Sequence, residues 1–434
     1  MQGNAREAAA MRRVRIIARL AALAAAVILS LPLIPWSWSP LVVPAASPYV
    51  MMGSAIALRA AGAAALIGLA VLVLSLRRPR WFCRWACPVG LAEESLGRVR
   101  SSAATSFARW PPVGQWIALV TLGGAAVGYP LLLWLDPLAM LSGFVGAWRW
   151  PLSLASAAAA AGLPAVLIFS VVFPHAWCMR VCPLGAVQDL LAWPRQWLRR
   201  RAGAGLLAPR EYTGGRPRGD HLPACGPRCI HRGLTRRHPL ARRALLAAGV
   251  GAACGAAVRA VCGGAAPPIR PPGAIDESRF TGVCIRCGNC VRACPAGIIR
   301  PDLGCGGVAG LLAPVVGFSD SYCKEDCRRC TRVCPSGALV RLSLEEKQEF
   351  IMGLARVDLA TCILPKGEEC SACLRACPYE AILLSPAADG FTVEPRVDPA
   401  RCTGCGACEA ACPTSPGKAI RVDPPVPGAR GFFF

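Results

Sequence analysis

Sixteen of the chain's 25 cysteines fall into four consecutive groups, and each group closes on Cys-Pro after a three-residue gap. They are Cys284, Cys287, Cys290 and Cys294; Cys323, Cys327, Cys330 and Cys334; Cys362, Cys370, Cys373 and Cys377; and Cys402, Cys405, Cys408 and Cys412. The first and fourth carry the spacing C-x2-C-x2-C-x3-C-P, the run that ligates [4Fe–4S] cubanes. Two-residue gaps let one tight loop aim three thiolates at one cube. The fourth cysteine, turned away at the proline, can then reach a neighbouring cube. The second group widens its first gap to three residues and the third to seven, 363–369, with the ligand count intact. Structural zinc usually takes two separated ligand pairs, and disulfide frameworks seldom repeat one spacing four times. An α+β domain over residues 265–434 holding four [4Fe–4S] clusters is therefore expected.

The other half of the chain is a different material. Residues 1–264 carry 29 Arg and no Lys against 7 acidic residues, a net +22, so nearly all of the chain's +23 resides there. A basic protein invites a nucleic-acid reading, but this charge sits between apolar stretches at 14–36, 56–76, 113–135 and 152–173, each long enough to cross a bilayer at about 20 residues per crossing. Arg19 and Arg59 lie near their ends, where basic side chains can snorkel. Seven arginines follow the second stretch and fourteen follow the fourth, whereas the loop 37–55 has none and 136–151 has only Arg149. The positive-inside rule then puts the N-terminus and both Arg-rich segments in the cytoplasm. The expected fold is a transmembrane bundle of four helices, built as a duplicated hairpin over 1–195. The Arg-, Gly- and Pro-rich segment 174–243 reads as mostly loop, its part 196–243 as an Arg-rich cytoplasmic linker, and a short fifth helix at 244–264 leads into the cluster domain. Arg242-Arg243 before that weakly apolar stretch has the order of a twin-arginine export signal. Clusters assembled in a reducing cytoplasm need such a route if their domain works outside. The alternative leaves that domain inside, with the stretch as an interfacial or core helix.

The duplication is visible in the cysteines. Cys83-Arg84-Trp85-Ala86-Cys87-Pro88 recurs as Cys178-Met179-Arg180-Val181-Cys182-Pro183, displaced by 95 residues. Four thiols meeting at one surface could hold a fifth cubane, act as redox pairs, or simply pack. Cys225 and Cys229 form a further C-x3-C without the proline, while Cys254, Cys262 and Cys305 stand outside every group. Asp136, beside Pro137, reads as either a solvated loop acid or a proton acceptor. None of the four histidines falls inside an apolar stretch, so a bis-histidine membrane haem lacks ligands, and neither C-x-x-C-H nor a dinucleotide-binding glycine motif in a strand–helix context occurs.

On these residues the chain resembles a fusion of two families. Residues 1 to about 200, with the tags at Cys83, Cys87, Cys178 and Cys182, are similar to the NapH family of membrane quinol dehydrogenase subunits. Residues from about 240 onward, with the twin-arginine signal and four cubane groups, resemble the NapG family and the related MauM ferredoxins, and more distantly the NosR C-terminal region. NapH-type proteins usually carry two further ferredoxin groups after the last helix, where this chain has only Cys225 and Cys229.

The resemblance implies a multi-pass protein of the bacterial inner membrane with a periplasmic ferredoxin domain. It would relay electrons from quinol to a periplasmic reductase or electron carrier, as an electron-transfer component rather than a stand-alone enzyme. The alternative is a maturation or redox-maintenance factor for a periplasmic metalloenzyme. Lipid and quinol are the expected partners, and nucleic acid is not. Two pairings of the cysteine groups stay open: first with second and third with fourth, or first with fourth around second with third.

Overall fold

The computed structural model describes residues 2–31, 39–99, 110–147, 153–202, 240–264, 268–304, 306–387 and 390–424. Cys225, Cys229 and Cys305 lie outside the described residues.

The apolar stretches form helices, but not as single rods of the expected extent. The first belongs to a longer helix, Gln2–Ser30. The second is split. Pro48–Leu58 stops at Arg59, which takes a left-handed conformation (φ 55°), and Ala65–Arg77 resumes after it. The third stops early, as Val113–Ala126 gives way to Gly128 (φ 88°), Pro130 and a 3-10 turn, Leu133–Leu135. The fourth bends by 43° between Leu154–Ala160 and Gly162–Val172, where Gly162 and Pro164 weaken the helical ladder.

Among the described residues, by length and composition, one helix, Arg242–Cys262, could cross a membrane, or up to three if each bent pair counts as one span. Of the four continuous spans read from the sequence, the second and fourth are broken and the third is cut short, while the stretch expected to be a short fifth helix runs 25 residues. Loop 37–55 is also corrected: it holds Ser39–Ala45 and the start of Pro48–Leu58, which meet at 92°. The segment expected as mostly loop begins with a π-helical turn, Trp177–Val181, and the helix Pro183–Ala202. Pro183 opens that helix without losing an intrahelical bond, and Leu184 and Val187 are buried beneath it.

Two polar residues change meaning once placed. Asp136 is wholly buried. It caps the helix Pro137–Ala147, accepting from the amides of Leu138 and Ala139 at 3.0 Å and from Ser47 Oγ at 2.5 Å. Ser47 itself caps Pro48–Leu58, so two helix N-termini share one carboxylate. Arg19 does not snorkel: it is 7% exposed and ion-paired to Glu94.

The helix Leu240–Gly264 lies along Val113–Ala126 through glycines. A Cβ on Gly123 would sit 2.0 Å from Ala248 O, and one on Gly251 would sit 2.1 Å from Val120 O. Arg259 Nη1 closes the lower end of this contact by donating to Val127 O at 2.8 Å.

The cluster domain is α+β, built of three antiparallel two-stranded ribbons. β1 (Ile299–Pro301) pairs with β2 (Pro314–Val316), β3 (Leu354–Val357) with β6 (Ile420–Asp423), and β4 (Ile382–Pro386) with β5 (Val393–Val397). One-turn helices Asn289–Ala293, Arg329–Arg332, Ala372–Ala376 and Ala407–Ala411 sit inside the cysteine groups.

The first group docks on the helical half. Asn289 Nδ2 donates to Pro40 O at 2.8 Å and Arg292 Nη1 to Ser30 O at 2.8 Å, while Ser142 Oγ donates to Asn289 Oδ1 at 3.0 Å. Tyr129 and Thr281 share a hydroxyl–hydroxyl bond of 2.9 Å. The helical-side partners of these hydrogen bonds come from 30–47 and 129–142, and Ala57, Leu58 and Gly146 pack against the cluster domain beside them.

Candidate metal centres

The fourth cysteine of each group leaves its own loop. Cys334 lies in electrostatic contact with Cys284, Cys287 and Cys290, and Cys294 with Cys323 and Cys330. Cys294, Cys323, Cys327 and Cys330 line one cavity. The second pair of groups repeats the exchange: Cys377 stands with Cys405 and Cys408, and Cys377, Cys402, Cys405 and Cys408 line a second cavity. Cys373 neighbours Cys370 and Cys362, and Cys412 packs in the same buried cluster as Cys362 and Cys373. First therefore pairs with second and third with fourth, which resolves the two pairings the sequence left open.

Local backbone explains how short loops manage this. Arg286 and Gly288 in the first group, and Gly404 and Gly406 in the fourth, take φ of 55°, 70°, 71° and 82°. These left-handed turns curl each loop around its thiols. Gly406 has no alternative, because a Cβ there would lie 2.1 Å from the Phe318 ring. Backbone amides then reach sulfur: Leu339 N to Cys334 Sγ at 3.3 Å and Ala381 N to Cys377 Sγ at 3.3 Å.

The donor set fits iron–sulfur clusters. Burial, reinforced by neighbouring thiols, pushes Cys323 up to about 11 and Cys287 up to about 12, and moves Cys290 and Cys330 upward as well. Four thiolates crowded into an apolar cavity repel one another unless cationic metal lies between them. Among the described residues no three His, Cys, Asp or Glu side chains draw close enough to hold a single metal ion.

The tags in the helical half also come together, and around them the duplication runs deeper than the cysteines. Cys87 and Cys182 are buried, and Cys182 lies in electrostatic contact with both Cys83 and Cys87. Arg80 and His175, displaced by the same 95 residues, are both left-handed (φ 52° and 63°). Arg19 Nη2 donates to Cys83 O at 2.8 Å and pairs with Glu94; Arg80 Nη1 donates to Cys178 O at 3.2 Å and pairs with Asp189. Between these lies a crossed pair. Glu93 Oε2 accepts from Cys178 N at 3.2 Å, and Gln188 Nε2 donates to Cys83 Sγ at 3.1 Å. The sequence reading stopped at the prolines and missed these residues. Their signal was present, since Glu93-Glu94 and Gln188-Asp189 stand at the repeat's own displacement.

One buried apolar cluster joins Cys87 and Cys182 to Ile285 and Cys287. At the opposite side of the first two groups, Cys323 N donates to Cys405 O at 2.9 Å and Met352 N to Thr403 O at 2.9 Å, which links the second group to the fourth. From the helical half outward the cysteine sets therefore run first, second, fourth, third. In the outermost set Cys362, Cys370 and Cys373 are partly exposed.

Comparison with known proteins bears on both halves. The family described as a 4Fe-4S dicluster domain matches residues 283–338 and 366–415, and that described as a 4Fe-4S binding domain matches 60–104 and 156–204, so each copy contains one tag. The chain is 41% identical over 172 residues to the methylamine utilization ferredoxin-type protein MauM of Methylobacillus flagellatus, covering 37% of this chain and 70% of that one. MauM of Methylorubrum extorquens is 37% identical over 205 residues, 45% of this chain and 92% of the relative. The ferredoxin-type protein NapG of Escherichia coli is 41% identical over 155 residues, 33% and 65% respectively. No solved structure matches the chain.

Proposed function

The chain belongs to the ferredoxin-type family that includes MauM, an iron–sulfur electron-transfer family, and from that premise we propose that it is a membrane-anchored relay carrying electrons from quinol to a periplasmic reductase. The domains follow as 1–195 for the quinol-side module, 196–243 for the cytoplasmic linker, 244–264 for the export and anchor helix, and 265–434 for the cluster domain. In this reading the fusion places a NapH-like module and a NapG-like module on one chain.

The sixteen cysteines of the four groups hold four cubanes, and Cys83, Cys87, Cys178 and Cys182 hold a fifth. Bound there, such clusters supply one-electron storage at potentials set by charge, hydrogen bonding and exposure. The chain's own residues set the order. The Ile285–Cys287 loop is buried in the apolar core that contains Cys87 and Cys182, and this shared core carries the proposal. Electrons arriving at the tags would meet the first cysteine set before any other. The half-exposed third set then faces the acceptor.

Membrane residence is supported by outward apolar residues along the helices. Leu66, Leu69 and Val73, Ile168 and Val172, and Leu245, Leu246 and Val250 are all exposed, and only 17% of the Arg242–Cys262 window is buried. The hydrogen bonds to the cluster domain described above use 30–47 and 129–142, segments poor in arginine, and the tags lie beside the Arg-rich ones. That polarity agrees with a periplasmic cluster domain.

The test uses the full chain, purified anaerobically and placed in lipid nanodiscs. About twenty irons per chain are expected, four for each of five cubanes, against about sixteen if the tags hold none. Addition of a reduced quinol analogue should bring up reduced-cluster signals in electron paramagnetic resonance. Iron-loaded protein whose clusters stay oxidised under quinol would sink the relay.

A further inference from the structure

Lys347 is an unusual place for a lysine. It lies on the helix Leu344–Glu349, held by a capping box in which Ser343 Oγ accepts from Glu346 N and Glu346 returns the bond to Ser343 N. This helix occupies the join between the two dicluster units, and Lys347 points into it, 3% exposed. Its Nζ donates to Lys324 O at 2.7 Å. Among the described residues no carboxylate forms an ion pair with it. A buried ammonium with one carbonyl partner is costly unless other negative charge compensates it.

The compensating charge is at hand. Lys347 stands in electrostatic contact with Cys323 of the second group, Cys405 of the fourth, and Tyr379. Cys323 and Cys405 are the two ligands joined by a backbone hydrogen bond of 2.9 Å. Tyr379 Oη and Thr403 Oγ1, both buried without a close hydrogen-bond partner, line the cavity on the fourth group's side. A cubane with four thiolates carries net negative charge, and reduction adds one more electron while breaking no bond. A fixed cation beside it therefore favours the reduced form.

We infer that Lys347 is the shared counter-ion of the second and fourth cysteine sets, raising the reduction potentials of both clusters together and so keeping the crossing between the two dicluster units nearly level. This rests on the relay reading but concerns potentials alone. A chain that takes no electrons from quinol would overturn the relay, and unmoved potentials would overturn this inference.

The experiment is a redox titration of the full chain followed by electron paramagnetic resonance, on wild type, Lys347→Gln and Lys347→Arg. Gln keeps a donor for Lys324 O and removes the charge; Arg keeps the charge. With iron content unchanged, Lys347→Gln should shift two cluster midpoints downward and leave the others in place, and Lys347→Arg should return those two to wild-type values. A fully loaded Lys347→Gln protein with every midpoint unmoved overturns the assignment, as does a uniform shift of all clusters. Should Lys347→Gln fail to load iron, Lys347→Arg decides: two midpoints held at wild type support the counter-ion, and the same two fallen overturn it.

Discussion

The cluster domain and the helical half both gather cysteines, by opposite means. In the cluster domain three thiols of each set come from one short loop, and only the fourth travels, from the partner group of the same dicluster unit. In the helical half no local run supplies a set. Two C-x3-C pairs 95 residues apart meet because the helices around the two copies pack together, and Arg19, Arg80, Glu93 and Gln188 fix the meeting. Local sets are a property of loops and can be read one at a time. A converged set is a property of tertiary packing, and it fails as a whole.

Single cysteine changes should expose this contrast most sharply. Cys294→Ser removes a ligand from the second set while its own loop keeps Cys284, Cys287 and Cys290 with Cys334. Up to four irons should be lost, about a quarter of the cluster domain's content, with the first cluster's signal retained; loss of the first signal instead would break the exchanged pairing. Cys182→Ser should remove the tags' iron altogether and leave the cluster domain's signals untouched.

A smaller effect is expected at Gly406, where alanine would meet Phe318 in a left-handed conformation. Overpacking and backbone strain each cost roughly 1–3 kcal/mol, so Gly406→Ala should lower the thermal midpoint of the cluster domain by several degrees in a melting experiment. An unchanged midpoint would show that the join between the dicluster units is looser than drawn. Smallest is Gln188→Leu, which deletes the hydrogen bond to Cys83 Sγ at a cost of about 1 kcal/mol. It should weaken iron retention at the tags and not in the cluster domain, as measured by iron release to a chelator.

What the sequence disclosed divides along the same line. The cysteine spacing identified all four cubane groups, because their geometry is contained within a few residues. It could not choose the pairing, since Cys377 and Cys412 reach across to loops whose positions depend on the ribbon of β3 with β6, and those strands lie far apart in the chain. Hydropathy located apolar stretches but not their breaks: Arg59 and Gly128 interrupt helices through backbone conformation, which an average over a window conceals. Asp136 is buried rather than a solvated loop acid, and the sequence leaves this open because its partner Ser47 is 89 residues away. The Glu93 and Gln188 pair was legible in principle, had the repeat been followed past Pro88 and Pro183.

The glycine-lined contact between Leu240–Gly264 and Val113–Ala126 carries a consequence for how the two halves stay joined. In hydrocarbon, water does not drive helices together, and close backbone approach and shape decide which segments adhere. An anchor of equal greasiness but with leucine in place of Gly251 would still enter a bilayer. On the proposed membrane reading it would drift there as a lone mast, and the iron-bearing cargo behind it would lose its berth on the helical half.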